Sequence, residues 1–208
     1  MPYDFKKELK ELYSTSTKPK IVHVEKTNYI AIRGKGNPND PNGEYQRAIP
    51  KLYQIAYTLR MSYKTDYKIK DFFEYVVPPL EGFWWQEGIN GYDVTKKDLF
   101  TWISLIRLPD FITLENFNWA KKQATIKNNN NYDDVEFLTY DEGLCVQCCH
   151  IGSFDSDFET VMKMNEYLNA TPYNIDLSPF RHHHEIYLSD PRKTSINKLK
   201  TIIRHPIK

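Results

Sequence analysis

The spacing of apolar residues along the chain predicts a mixture of helices and strands. Apolar side chains recur every three or four residues in four segments, a period typical of amphipathic helices: residues 4–13, 44–64, 112–127 and 154–170. Apolar runs bounded by turn-forming residues indicate strands elsewhere: residues 20–36, 71–87, 96–109, 135–152, 182–189 and 196–207. This order predicts an α+β fold with antiparallel sheets and helices.

Three of these segments carry features that shape their elements. Residues 4–13 are predicted to form a short amphipathic helix that docks on the rest of the protein. Pro50 removes a backbone donor from the second helix, which must therefore begin late or kink near this residue. Pro78 and Pro79 divide the run 71–87 into two strand-like stretches.

The order strand, helix, strand, strand occurs twice, which predicts an internal duplication. The stretch IRLP at 106–109 is echoed by IRHP at 203–206. We therefore expect two related units, at about 20–110 and 132–208, that follow an N-terminal helix and linker in residues 1–19. A cleft between two facing units is a natural place for a ligand.

Charge and cysteine content narrow the classes of function. The 28 Lys and Arg residues nearly balance the 27 Asp and Glu residues, which argues against nucleic acid or an anionic membrane as a partner. No apolar segment reaches the length of a membrane span or signal peptide, so we expect a cytoplasmic protein. Cys145, Cys148 and Cys149 lie in one apolar run without a second cysteine pair, which predicts buried thiols rather than a zinc site or disulfides.

Aromatic residues make up 14% of the chain, whereas apolar residues make up only 40%. Tyr and Trp combine a large flat face with a polar tip, so they suit a cavity that holds a large apolar ligand. A core rich in aromatic residues also explains the composition, and composition alone favours this second interpretation. Both interpretations remain open.

The stretch RHHHEIYLSDP contains three consecutive histidines and a glutamate. Side chains alternate between the two faces of a strand, so His183, Glu185 and Tyr187 are predicted to share one face. His182 and His184 then share the other face, where Glu185 cannot complete a metal site with them. No metal is expected, and the run is internal, unlike an expression tag.

Four motifs together resemble one known family. The motifs are HHHEIYLSDP, KTIIRHP, VVPPLEGFWW and WISLIRLPDF. From about Lys20 to its end, the chain resembles the GyrI-like small-molecule-binding proteins, particularly the compact bacterial branch without a DNA-binding domain. The resemblance implies one domain over 20–208, a duplicated strand-helix-strand-strand module with a pseudo-twofold cleft between its copies. Only about twenty residues precede the first copy, too few for a helix-turn-helix domain.

The resemblance also implies an activity and a set of catalytic residues. Similar stand-alone proteins open the cyclopropane ring of DNA-alkylating natural products with water, which detoxifies them and confers drug resistance. The family's pocket glutamate corresponds to Glu185, whose carboxylate in an aromatic cleft would accept a proton from water. Tyr187 and His183 are the candidate donors to the oxygen that becomes a phenolate. No cofactor is implied.

The tryptophans are the candidate ligand contacts. Trp84 and Trp85 are adjacent in a strand, so at most one of them can line the cleft directly, and Phe83 would share a face with Trp85. Trp102 is a further candidate for the cleft wall. The expected partner is a lipophilic small molecule.

Two other functions remain open from the sequence. The same pocket could bind and sequester drugs without turning them over. Alternatively, the chain could inhibit a partner protein such as DNA gyrase. The near-neutral charge does not indicate the acidic surface that such an inhibitor would need.

Overall fold

The computed structural model describes residues 1–89, 93 and 95–208. Its helices are α1 (Phe5–Glu8), α2 (Glu44–Arg60), α3 (Leu114–Asn128) and α4 (Phe158–Leu168). Its first four strands are β1 (Lys20–Val24), β2 (Thr27–Lys35), β3 (Leu80–Gln86) and β4 (Phe100–Arg107). The remaining strands are β5 (Val135–Tyr140), β6 (Gly143–Ile151), β7 (His183–Tyr187) and β8 (Lys200–Pro206). The predicted α+β fold is confirmed.

The strands form one eight-stranded antiparallel sheet in the order β1-β6-β8-β7-β3-β4-β2-β5. The six inner strands form two triplets, β7-β8-β6 and β3-β4-β2, which meet at the β3–β7 pair. In each triplet the strand that follows the helix lies at the centre of the sheet, the next strand of the chain lies beside it, and the strand that precedes the helix lies outermost. This arrangement is the expected duplication.

The outermost strands connect the two copies. β1 precedes the first copy in sequence but pairs with β6 of the second copy, whereas β5 precedes the second copy but pairs with β2 of the first. The outer neighbour of each copy is therefore the strand that precedes the other copy in the sequence. The division into units at 20–110 and 132–208 remains a prediction, with strands exchanged between the two ranges.

The helices cover one face of the sheet, which we call the front face. α2 packs on β2 and β4 and contacts α3, while α4 packs on β6. The apolar stripe of α2 is buried in the largest core cluster: Tyr45, Ala48, Leu52, Ile55, Ala56 and Leu59. α4 buries Met164 and Leu168 in a separate core. The central strands β3 and β7 lie between these two helix-covered regions.

The N-terminal segment packs against the opposite face, which we call the back face. The helix predicted for residues 4–13 is wrong in length, because α1 ends at Glu8. Beyond it the chain turns, and the Leu12 carbonyl accepts a hydrogen bond from Arg204, while the Tyr13 hydroxyl donates to Glu81. Buried polar groups of the sheet thus hold the segment that follows α1.

The structure excludes one of the two predicted alternatives for α2 and contradicts the prediction for the first stretch of 71–87. α2 begins six residues before Pro50 and contains it, so the helix does not begin late. The first stretch of 71–87 is not a strand: Tyr75 makes only an isolated bridge to Tyr3. Its rings pack instead against Phe111 and the N-terminal segment, so side-chain burial rather than sheet pairing fixes it.

The three cysteines are buried and free, as predicted. Among the described residues, none of the helices combines the length and the apolar character needed to cross a membrane.

Candidate active site

A cavity of about 890 Å³ opens on the front face above the β3–β7 pair. Its floor contains Trp84 from β3 and Glu185 from β7. Its walls include five aromatic side chains from α2, the start of β4 and the segment before α4: Tyr45, Tyr53, Tyr57, Phe100 and Phe154. A cavity of this size with a few convergent polar groups is typical of small-molecule sites.

Glu185 and His183 are the polar centre of the cavity floor. Both project from the front face of β7, as strand alternation predicted. The side chain of Glu185 is 14% exposed, and its Oε1 lies 3.1 Å from Nε2 of His183. The same nitrogen lies 3.6 Å from Oδ2 of Asp157, which is almost fully buried. One imidazole edge thus faces two carboxylates inside the cavity.

Trp84 and Tyr187 are held together across the β3–β7 pair. Nε1 of Trp84 donates a hydrogen bond of 2.9 Å to the hydroxyl of Tyr187. Burial, together with the nearby Glu185 and Tyr45, raises the pKa of Tyr187 well above its usual value. The hydroxyl of Tyr187 therefore stays protonated.

Gly82 provides the space for this contact, because it lies opposite Glu185 in the strand pair. A Cβ atom there would lie 2.5 Å from Nε1 of Trp84 and 3.1 Å from the Tyr187 hydroxyl. The Gly82→Ala variant is therefore expected to displace the indole and to lower the free energy of unfolding by about 1–3 kcal/mol, measured by urea denaturation.

A double-mutant cycle with Trp84→Phe supplies the control for this clash. Phenylalanine lacks the indole nitrogen, so Gly82→Ala should cost less in that background than in the native chain. Equal costs in the two backgrounds would show that the indole is not what restricts position 82.

The second nitrogen of His183 contacts another histidine. Its Nδ1 lies 2.7 Å from Nε2 of His205, which projects from the neighbouring strand β8 and is 3% exposed. Burial and the proximity of His183 lower the pKa of His205 well below its usual value. His205 is therefore a neutral partner behind the cavity floor.

On the back face, the same strand is fixed by a buried charge network. Nδ1 of His184 lies 2.9 Å from Glu142 and its Nε2 lies 3.0 Å from Glu81. Arg204 contacts the other oxygen of Glu142 at 2.9 Å. Burial opposes the charge on each group, yet His184 and Arg204 lower the pKa of Glu142 to about 2, and the carboxylates raise the pKa of His184. This clamp on His184 fixes the front-face orientation of its neighbours in β7.

The histidines predict a pH dependence of stability. Burial lowers the pKa of His182 to about 4, and His205 also has a lowered pKa. Below pH ~6.5 the unfolded chain binds a proton at each of these two histidines, whereas the folded chain does not. The free energy of unfolding should therefore fall as the pH falls toward 4, by up to about 1.4 kcal/mol per pH unit for each histidine. His184 acts oppositely: its contribution is complete below pH ~6.5 and is lost as the pH rises through its raised folded pKa.

The variant His182→Phe tests the acid limb of this profile. His182 stacks on Trp85 with ring centroids 4.1 Å apart, and phenylalanine preserves a ring there. We expect denaturant unfolding between pH 6.5 and 4 to show a shallower pH slope in the variant. An unchanged slope would mean that His182 does not resist protonation in the folded protein.

The structure brings some predicted ligand contacts into the cavity and separates others from it. Trp84 lines the cavity, together with the predicted Glu185, His183 and Tyr187. Trp85 and Phe83 do not, because strand alternation places them on the back face. Here Trp85 stacks on His182, and Phe83 packs against His184 and Tyr140.

Trp102 also does not line the cavity, although it shares a face with Trp84. It is 1% exposed and packs against Tyr45 at a centroid distance of 5.2 Å. Its indole lies so close to Gly34 that a Cβ atom there would approach within 2.3 Å. Trp102 is therefore a core residue that supports the cavity wall from behind.

The sequence interpretation did not identify five residues that the structure adds to the two polar clusters: Asp157, His205, Glu81, Glu142 and Arg204. Asp157 and Glu142 lie at the ends of elements, where acidic residues are ordinarily solvated. The charges of Glu81 inside the run LEGFWW and of Arg204 inside the run KTIIRHP were the available signals, because strands seldom bury an unpaired charge.

The cavity also contains a group of side chains that could hold a metal ion. Asp157, His183 and Glu185 each offer one ligand atom, and these atoms lie within 4.8 Å of one another. The hydrogen bond between His183 and Glu185 and the ion-pair contact between His183 and Asp157 account for the same proximity without an ion.

Comparisons with known proteins agree with this fold. The family model described as the GyrI-like small molecule binding domain matches residues 17–208. The chain belongs to this family. A comparison with curated proteins found no match.

Solved structures from Listeria innocua are similar over nearly the whole chain. An uncharacterized conserved protein is 41% identical with a TM-score of 0.93, covering 99% of this chain and 100% of its own. A hydrolase from the same organism is 40% identical with a TM-score of 0.91, and each chain is covered completely. The C-terminal domain of EcmrR is 9% identical with a TM-score of 0.56, covering 92% and 97%, and shares the fold alone.

Proposed function

We propose that the protein hydrolyses lipophilic small molecules that carry a strained cyclopropane, with Glu185 as the general base. One observation carries this proposal: a carboxylate hydrogen-bonded to His183 lies on the floor of an aromatic cavity of about 890 Å³. Membership of a small-molecule-binding family and similarity to proteins called hydrolases support the same class of activity.

In the proposed step, Glu185 removes a proton from a water molecule as its oxygen attacks the less hindered cyclopropane carbon. The strained C–C bond breaks, and its electron pair moves through the conjugated dienone to the carbonyl oxygen. The resulting phenolate takes up one proton, so the net reaction adds one water molecule. The product has lost its alkylating centre, which would detoxify such a compound.

The neighbours of Glu185 suit positioning roles in this step. In a spirocyclopropyl dienone, the carbonyl oxygen lies across the six-membered ring from the cyclopropane. Tyr187 and His183 lie beside Glu185, so they cannot readily contact that oxygen while Glu185 contacts the attacking water. We therefore assign them to holding the carboxylate. Trp84 and the rings of the walls would stack on the planar body of the ligand.

An absorbance assay tests the proposed hydrolysis. The protein is mixed with a spirocyclopropyl dienone, loss of the dienone band is followed, and the product is identified by mass spectrometry. Catalytic formation of the hydrate supports the proposal. Saturable binding without product would contradict it and select the alternative function.

The alternative is a drug-binding protein that sequesters ligands without turnover. The description of the family as a small-molecule-binding domain favours this function. The aromatic walls would serve it equally well, but sequestration needs no base. Variants of Glu185 therefore separate the two functions.

A further inference from the structure

The two ring nitrogens of His183 have different partners, and this asymmetry determines where its proton lies. Nε2 faces Glu185 at 3.1 Å and Asp157 at 3.6 Å, whereas Nδ1 lies 2.7 Å from Nε2 of His205. In a nitrogen-to-nitrogen contact of this length, one ring must donate and the other must accept. The tautomers of the two histidines are therefore coupled.

The surroundings of His205 determine the direction of this hydrogen bond. Its Nδ1 is buried and has no hydrogen-bond partner within the described part of the chain. A buried N–H without an acceptor is rarer in proteins than a buried acceptor without a donor. The single proton of neutral His205 therefore belongs on Nε2, where it points at His183.

The proton on His205 in turn fixes the proton on His183. Because Nδ1 of His183 accepts from His205, the proton of a neutral His183 must lie on Nε2, which faces the carboxylates. We propose that His205 is a positioning residue that holds His183 in the Nε2–H tautomer, so that His183 donates to Glu185 and orients its carboxylate. The role in turnover rests on the proposed function, whereas the tautomer itself does not.

The opposite tautomer would make a different site. A proton on Nδ1 would leave a bare Nε2 lone pair facing the oxygens of Asp157 and Glu185, an arrangement that is repulsive unless a cation lies between them or one carboxyl group carries a proton. These three side chains have the spacing of a cation site. The direction of the hydrogen bond from His205 thus distinguishes a site that orients a base from one that binds a metal.

Nitrogen-15 NMR of the imidazole rings of the native protein at pH 8 tests the tautomers without any substrate. The chain has six histidines, so single His→Gln variants can assign the signals. We expect both His183 and His205 to carry their proton on Nε2. A proton on Nδ1 of His183 would overturn the proposal.

Two variants of His205 test its effect on turnover. His205→Leu removes the donor, so we expect kcat to fall about tenfold or more with KM unchanged. This loss is part of the roughly 10²–10⁴-fold increase in rate that general base catalysis provides. His205→Gln retains an N–H group and should preserve more of kcat. If both variants fold and lose kcat equally, His205 contributes by packing, and the proposed positioning role is contradicted.

The two experiments also separate this proposal from the proposed function. If the native protein shows no turnover, the hydrolase proposal fails, but the NMR spectrum still decides the tautomer. If turnover is present and His183 carries its proton on Nδ1, the role of His205 fails while hydrolysis remains.

Discussion

Replacing Glu185 by glutamine is expected to lower kcat for a spirocyclopropyl dienone by roughly 10²–10⁴-fold. Glutamine has nearly the same shape but cannot accept a proton from water, so the aromatic contacts of the cavity remain. Binding of the ligand, followed by quenching of tryptophan fluorescence, should therefore change little. A large loss of turnover with retained binding is the signature of a lost base.

The matched control for this variant is Glu87→Gln. The side chain of Glu87 is 73% exposed and pairs with Lys35 on the surface, away from the cavity. It should leave both kcat and KM unchanged. Native turnover by Glu185→Gln would remove Glu185 from the mechanism and leave the cavity as a binding site.

Replacing Arg204 by leucine is expected to lower the free energy of unfolding by about 3–5 kcal/mol. Its guanidinium is buried, contacts Glu142 at 2.9 Å and Gln147 at 3.0 Å, and donates to the Leu12 carbonyl at 3.1 Å. After its loss, His184 is the one ion-pair partner that the described part of the chain offers to the buried carboxylates of Glu142 and Glu81. Denaturant unfolding at pH 7 measures the effect.

An exposed ion pair provides the comparison for Arg204. Arg33 contacts Glu136 at 2.7 Å, but the two side chains are 55% and 41% exposed. The variant Arg33→Leu should therefore cost less than about 1 kcal/mol. A similarly small cost for Arg204→Leu would show that the back-face network does not stabilise β7.

Strand alternation was enough to predict half of the site. Because His183, Glu185 and Tyr187 are spaced two apart, their common face follows from the geometry of a strand. The same rule limited the pair Trp84 and Trp85 to one cavity residue. The repeated strand-helix-strand-strand order likewise predicted the two halves of the sheet.

The remaining features depend on which strands pair, and a single sequence does not specify this. Trp84 rather than Trp85 lies at the cavity because β3 pairs with β7 in the register that places Trp84 opposite His183. His205 reaches His183 only because β8 lies beside β7. Asp157 approaches them from the segment before α4, far away in sequence.

The exchanged outer strands were also beyond prediction from the sequence. β1 and β5 have the apolar runs of ordinary strands, but their partners come from opposite halves of the chain. In each case a contact distant in sequence overrides a local preference.

Turnover in water labelled with oxygen-18 tests the central claim most directly. If Glu185 activates water against the cyclopropane, the native protein should release a ring-opened product with one labelled oxygen on the former cyclopropane carbon, and Glu185→Gln should release almost none. Recovery of the intact dienone from a saturated complex, or of a ring-opened product without the label, would contradict the account.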